Sequence, residues 1–301
     1  MLHKLPLALA AAACVVASSG IAHADSVTPL PHAVAPMGPS IKVDTGSLNS
    51  TKAEAEATIR YWTRARLLKN SSSAESEAPS PRSSDPADPV PTVGRIVFPA
   101  FNCTGTVIGA DLILTAAHCI KRYGVPIGRL GAFVPQYSGG NSPWGSWPLA
   151  DYYIDSRWGI TDNPRYDYAL VRLSTTGHDY HLGDKTGSVR MSADPFKAGE
   201  QVDLLGYPGD QDVPYRCETP VSSAKFSGVN YWKIDCASYT DGVSGTPFRH
   251  YQPAPWNTTT IGAVVGGYQE GGSTVATSYG SQWDSSIYTL WQQANTGSTV
   301  S

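Results

Sequence analysis

From Val93 to the C-terminus the chain is written as short runs of β-branched and aromatic residues, each closed by Gly, Pro, Asn or Asp. GRIVFPA, TGTVIGADLILTAAH, YALVRLS, QVDLLGYPG, NYWKIDCAS and TIGAVVGG are such runs, and no helical stretches alternate with them. Parallel strands need crossover connections, usually helices, so this pattern disfavours a parallel α/β sheet. It predicts an all-β domain of two antiparallel barrels over residues 93–301. A single sandwich of two sheets has the same strand spacing and stays open at this point. One helix is expected at the end. In DSSIYTLWQQANTG, Asp284 suits an N-cap, and Ile287, Leu290 and Trp291 fall on one face.

The first residues address the compartment. His3 and Lys4 precede an apolar run, Leu5 to Val16, which continues with small residues to Ile21 and closes on Ala22-His23-Ala24. This reads as a signal peptide, Met1–Ala24, cleaved before Asp25; a membrane anchor would need a longer apolar stretch. The product is expected to be secreted, extracellular and monomeric. Charged residues make up 16% of the chain, the formal charge is −3, and no Lys/Arg block occurs. Phosphate binding needs clustered cations, so nucleic acid is not an expected partner.

Signal removal also takes away Cys14 and leaves Cys103, Cys119, Cys217 and Cys236. An even set in an oxidising compartment reads as disulfides. Cys103 and Cys119 flank one apolar segment. Cys217 and Cys236 sit symmetrically about Ser227-Gly228, which reads as a hairpin turn, so neighbours are expected to pair. No Cys-x-x-Cys spacing suggests a metal, and no cofactor is expected.

Between the signal and Val93 the composition changes twice. Asp25 to Ser50 is rich in Pro, Ser, Val and Gly, and TKAEAEATIRYWTRARLLK (Thr51–Lys69) carries apolar residues at helical spacing and reads as one amphipathic helix. Asn70 to Thr92 is a Ser/Pro/Asp/Glu tract expected to stay unfolded and open to proteolysis.

The chemistry starts at Ser244 in TDGVSGTPF. A Ser hydroxyl becomes a useful nucleophile only with a base beside it and N–H donors for the oxyanion. Gly242 and Gly245 permit a tight turn that offers the N–H groups of Gly242 and Ser244. His118, in LTAAHC, ends an apolar strand and is pinned by Cys119. Asp167, in YDYALVRL, enters an apolar strand, where a carboxylate needs a partner. The Nδ1–H of His118 would supply one. His178 and His181, in GHDYH, sit in a polar loop with no matching ligand set and read as solvated.

The blocks NCTGTVIGADLILTAAHC, TDNPRYDYALVRL, Leu205-Gly206-Tyr207-Pro208-Gly209-Asp210 and Gly242-Val243-Ser244-Gly245-Thr246-Pro247 resemble the chymotrypsin-like serine peptidases. Within that group they are most similar to the bacterial glutamyl endopeptidase (V8-like) branch, with the IGAVVGG strand and the terminal helix adding to the likeness. The resemblance runs from about Val93 to the C-terminus. It implies a double β-barrel with the site between barrels, and the roles of base, orienting acid and nucleophile for His118, Asp167 and Ser244. By position, residues 25–92 would then be the propeptide of a zymogen matured by an activating protease.

Two departures bear on function. Val243 stands where trypsin-like enzymes carry the Asp that pairs with the new N-terminus on activation, so that switch is not expected. Val264 and Val265 stand where glutamyl endopeptidases place a His to hold the substrate carboxylate. Ser238 and Tyr239 would form the pocket base, with Asp241 at its rim and Gly267 beyond the strand. A pocket without a cation cannot offset desolvation of a carboxylate, so glutamyl preference is not expected. The expected partners are protein or peptide substrates cut through an acyl-enzyme. Two other classes compete with the enzyme. One is a catalytically silent binding protein on the same fold, which the intact Ser, His, Asp and Gly242 set argues against. The other is a carbohydrate module using Trp144, Trp147, Tyr152, Tyr153 and Trp158, residues that more simply pack a loop.

Overall fold

The structure, a computed structural model, describes residues 41–71, 84–237, 241–252, 258–274 and 276–296. The expected signal peptide, residues 25–40 and residues 72–83 of the expected unfolded tract lie outside the described residues.

Six strands close the first barrel: Val93–Val97, Asn102–Val107, Leu112–Thr115, Ala132–Pro135, Trp147–Asp155 and Ala169–Leu173. Closure comes from Ala132 and Phe133 pairing with Pro148 and Trp147. Closing the sheet on itself removes its free edges. Trp147 lies wholly inside, and Tyr152, Tyr153 and Trp158 are buried in the same core, so the aromatic run is packing material and not an exposed binding stripe.

The second barrel is assembled from two sheets. One holds Arg190–Met191, Thr258–Val264, Pro247–Gln252, Gln201–Gly206, Tyr215–Pro220 and Asp85–Pro86; the other holds Ser222–Phe226, Val229–Ile234 and Ser278–Ser281. They meet at the bridge between Val265 and Gly280. The pairings within both barrels are antiparallel except for Arg190–Met191 against Thr260–Ile261. A hairpin turn falls at Ser227-Gly228, both with positive φ (48° and 83°), as a two-residue hairpin loop of this hand requires. Disulfides join Cys103 to Cys119 and Cys217 to Cys236.

The terminal helix, Ser286–Thr296, buries Ile287, Leu290 and Ala294 against the first barrel's core. Asp284 Oδ1 accepts the Ser286 N–H at 2.9 Å, which supplies the N-terminal cap. Burial alone would raise the Asp284 pKa. The hydrogen bonds from Ser286, aided by Arg157 and Arg165, outweigh that and hold it below the ordinary value.

Ahead of the barrels, residues 41–71 form a strap. Its strand, Val43–Ser47, pairs with Asp151–Asp155 on the same edge that Ala132–Pro135 uses further back. The stretch expected as one amphipathic helix is two, Lys52–Tyr61 and Arg64–Ser71. Thr51 and Glu54 form a reciprocal capping box at the start. The break falls at Trp62, which leaves helical geometry (ψ 72°) so that its indole N–H can reach the Leu130 carbonyl at 2.6 Å. Tertiary contact here overrides helix propensity.

The expected unfolded tract is folded at both of its ends. Asn70 is buried and donates to the Phe98 carbonyl at 3.0 Å. Ser84 is buried, its N–H and hydroxyl both reach the Ala237 carbonyl, and Asp85–Pro86 pair with Tyr215–Arg216. Backbone pairing with a preformed sheet substitutes for the apolar burial that the composition lacks.

Two outcomes follow for stability. Replacing Cys217 and Cys236 with Ala opens a loop of 19 residues and should lower unfolding free energy by about 3 kcal/mol in urea titration. The depressed Asp284 pKa means its contribution is complete above the unfolded value near 3.8 and is lost as pH falls through the lower folded value. Asp284→Asn should therefore flatten the dependence of Tm on pH below about pH 4, and an unchanged slope would dismiss the cap.

Candidate active site

The strand ladder brings His118 and Asp167 together. Ala169 pairs with Thr115 in an antiparallel register, so two residues further out Asp167 arrives beside the 3-10 turn Ala117–Cys119. Asp167 is fully buried, and His118 is almost so. The carboxylate accepts three donors: the His118 N–H at 2.9 Å, the His118 ring Nδ1 at 2.8 Å, and the Gly267 N–H at 2.7 Å. A buried carboxylate is tolerable only when so satisfied. The Cys103–Cys119 disulfide fastens the turn that carries His118 to the neighbouring strand.

Ser244 comes from the other barrel, on the turn between the masses of the two sheets. Thr104, from the first barrel, holds this turn at two points. Its N–H donates to the Ser244 carbonyl at 2.8 Å, and its hydroxyl donates to the Gly242 carbonyl at 3.2 Å while accepting the Tyr207 N–H at 2.9 Å. Gly245 donates to the Val265 carbonyl at 2.7 Å, and Thr246 to Val243 at 2.9 Å. Gly242 and Gly245 have φ of +95° and +86°. A Cβ at Gly245 would stand 2.2 Å from the Thr104 carbonyl oxygen, and one at Gly242 2.3 Å from Asn102 Oδ1. Both positions thus require glycine for backbone geometry and for space.

His118 and Ser244 line one cleft of about 620 Å³, together with Phe101, Asn102, Arg122, Val125, Ile127, Asp241, Gly242 and Glu270. Arg122 and Glu270 form an ion pair, each a little under half exposed, between the hairpin after His118 and the loop after Gly267. No local signal in the sequence announces a contact between residues 148 positions apart. Thr104 was equally hidden, although its place beside Cys103 puts it on the strand that the disulfide fixes.

The residues expected in the specificity pocket separate. Asp241 is exposed and lines the cleft. Ser238 and Tyr239 lie outside the described residues. Val264 and Val265 are not among the cleft-lining residues. They are buried on opposite faces of the chain, Val264 with the first barrel's core and Val265 with the second's. Adjacent residues of an extended chain face opposite ways, so one strand packed between two cores buries both. Gly267 serves Asp167 through its N–H and is likewise absent from the cleft wall. Val243 is buried in the second core.

Of the two loop histidines, His181 is exposed and bonded to Asp111, which raises its pKa. His178 is not solvated as expected: its ring stacks on Trp147 at 3.7 Å between centroids, and burial lowers its pKa. Among the described residues, the cluster with metal-ligating geometry is Cys103, His118 and Cys119. Both thiols there are joined in the disulfide and offer no thiolate.

Residues 83–281 match the Trypsin family, and the chain belongs to that family of chymotrypsin-like serine proteases. Over 151 residues it is 30% identical to a glutamyl endopeptidase of Bacillus licheniformis, covering 48% of this chain and 44% of that protein. The match thus spans less than half the length of that relative. Among solved structures, the protease Anisep from Arthrobacter nicotinovorans is similar at 23% identity and a TM-score of 0.59, over 70% of this chain and 99% of that one. The thermostable serine protease AL20 from an extremophilic microorganism is similar at 20% identity and a TM-score of 0.59, over 69% and 98%. At such identities the likeness is one of fold.

Gly245→Ala should fail to assemble the turn, with activity at least about a hundredfold down even where circular dichroism stays native. Thr104→Val keeps shape but removes both side-chain bonds. It should cost about 1–3 kcal/mol in stability and lower kcat more than it raises KM; an unchanged kcat would deny Thr104 its role in the turn.

Proposed function

We propose that the protein is a secreted serine endopeptidase in which Ser244 is the nucleophile, His118 the base and Asp167 the group that orients the base. The observation that carries this reading is the buried Asp167 carboxylate 2.8 Å from His118 Nδ1, with His118 and Ser244 lining one cleft. As a carboxylate Asp167 only accepts, so Nδ1 carries the ring proton and Nε2 keeps its lone pair. Nε2 takes the Ser244 proton as Oγ attacks the scissile carbonyl carbon. The N–H groups of Gly242 and Ser244 receive the oxyanion, each worth about 3 kcal/mol in the transition state. The imidazolium then protonates the leaving nitrogen as the C–N bond breaks. Water, giving a proton to His118 Nε2, attacks the acyl carbon. The acyl C–Oγ bond then breaks, the imidazolium returns the proton to Ser244 Oγ, and the carboxylic acid product leaves.

The N-terminal pattern supports export with removal of Met1–Ala24, and the two disulfides agree with an oxidising destination. Maturation by a protease fits the stretch between Ser71 and Ser84, where the sequence is Ser, Ala, Pro and Glu with a single Arg82. Primary specificity is not glutamyl in this reading. Asp241 at the cleft repels a carboxylate, the cleft's Arg122 is engaged by Glu270, and Val264 and Val265 bring no cation. Apolar or aromatic side chains suit such a pocket best.

A fluorophosphonate should label Ser244 in the purified secreted protein; folded protein that stays unlabelled would favour a docking protein on this fold. Ser244→Ala should lower hydrolysis by about 10⁴-fold or more without affecting secretion. Digestion of a peptide library should yield few cuts after Glu, and a dominant Glu preference would overturn the specificity assignment.

A further inference from the structure

The strap, residues 41–71, is by position part of the segment that maturation would discard, yet its contacts are those of a structural element. Five residues of strand, Val43–Ser47, extend the sheet beside Asp151–Asp155, and the ladder continues with Leu48 N–H to the Ala150 carbonyl at 2.7 Å. Asn49, buried, donates to the Leu149 carbonyl at 2.7 Å and accepts the buried Thr58 hydroxyl at 2.8 Å. Trp62 and Leu67 are buried in one cluster with Val93, Val97, Ala132, Val134, Tyr137, Leu205 and Tyr207, which belong to both barrels. Without the strap this apolar face would meet water, and soluble proteins seldom expose such patches.

The strap also reaches the catalytic region. Asp44 pairs with Lys121 at 2.6 Å, with only 10% of the lysine side chain exposed. Lys121 begins the short hairpin after the His118 turn, whose next residue, Arg122, pairs with Glu270 at the cleft. Removing Asp44 would leave a nearly buried ammonium without its carboxylate, which costs more than an exposed pair could contribute. The family match runs over residues 83–281, so the strap lies outside the matched region.

We propose that residues 41–71 remain with the catalytic body in the active enzyme as a structural subunit, whether or not the connection between Ser71 and Ser84 is cut. The surface that holds them is the apolar face formed by Val93, Val97, Ala132, Val134 and Tyr137 with the edge of Trp147–Asp155. Because Ile41–Ser71 contains no cysteine, a cut strap is held without covalent linkage. The proposal builds on the maturation step above but is read by association and not by activity.

The test uses the full chain, secreted by its host and carrying a site for a specific protease inserted between Ser71 and Ser84. After complete cutting, gel filtration in native buffer should return strap and body in one peak, with denaturing mass spectrometry finding them in equal amounts. Strap elution apart from a folded body in native buffer would overturn the proposal. So would wild-type active protein that begins at or after Ser84 and carries no strap peptide. Trp62→Ala should weaken retention by about a hundredfold, measured as strap release on dilution, while Lys52→Ala, on the exposed helix face, should leave it unchanged. Release that is equal in the two variants would also count against it. An inactive protein that still retains its strap refutes the peptidase reading alone.

Discussion

A carboxylate sealed from water must find its donors inside the protein, and the arrangement around Asp167 is the condition on which the rest of this molecule depends. Its donors come from both barrels. The backbone and ring of His118 reach it from the first, and the Gly267 N–H from the second. Any slippage between barrels would orphan a buried charge at a cost of several kcal/mol. The same three bonds that make burial tolerable therefore align the barrels and hold the imidazole in one tautomer.

The nucleophile turn obeys a complementary rule. Its backbone passes so close to the strand Asn102–Val107 that glycine alone fits at 242 and 245, and Thr104 bonds it on both sides. Positive φ, close approach and hydrogen bonding all select one conformation, so the turn is set before substrate arrives. The cleft is walled further out by Arg122 and Glu270, one from each barrel, which gives the two halves a second point of contact on the solvent side.

Much of the architecture was legible because its signals are local. Strand runs, turn residues, the neighbouring cysteine pairs (16 and 19 residues apart) and the terminal helix each declare themselves within a short stretch of chain, and each is found where those signals fall. The readings that failed asked sequence for long-range information. Composition marked Asn70 to Thr92 as unfolded, but a sheet edge at Tyr215 and Arg216, far later in the chain, gives Asp85–Pro86 its hydrogen bonds. Helical spacing joined Thr51 to Lys69 in one helix, but the Leu130 carbonyl draws Trp62 out of it. His178 read as solvated because nothing nearby in sequence foretells a Trp147 face to stack upon.

What the sequence by itself determined is the chemical set: a Ser between glycines, a His beside a cysteine, an Asp entering an apolar strand, and from Val93 onward a pattern of short strand runs that favours antiparallel β structure. Which atoms meet was decided by tertiary structure. The ladder register sets Asp167 beside His118, and packing between two cores buries Val264 in one and Val265 in the other. The strap makes the same point from the other end. Its position is that of a leader, and only the apolar face it covers, gathered from residues far apart in the chain, turns it into part of the fold. Residue type is local and survives in one dimension; burial and juxtaposition exist only once the chain has closed on itself.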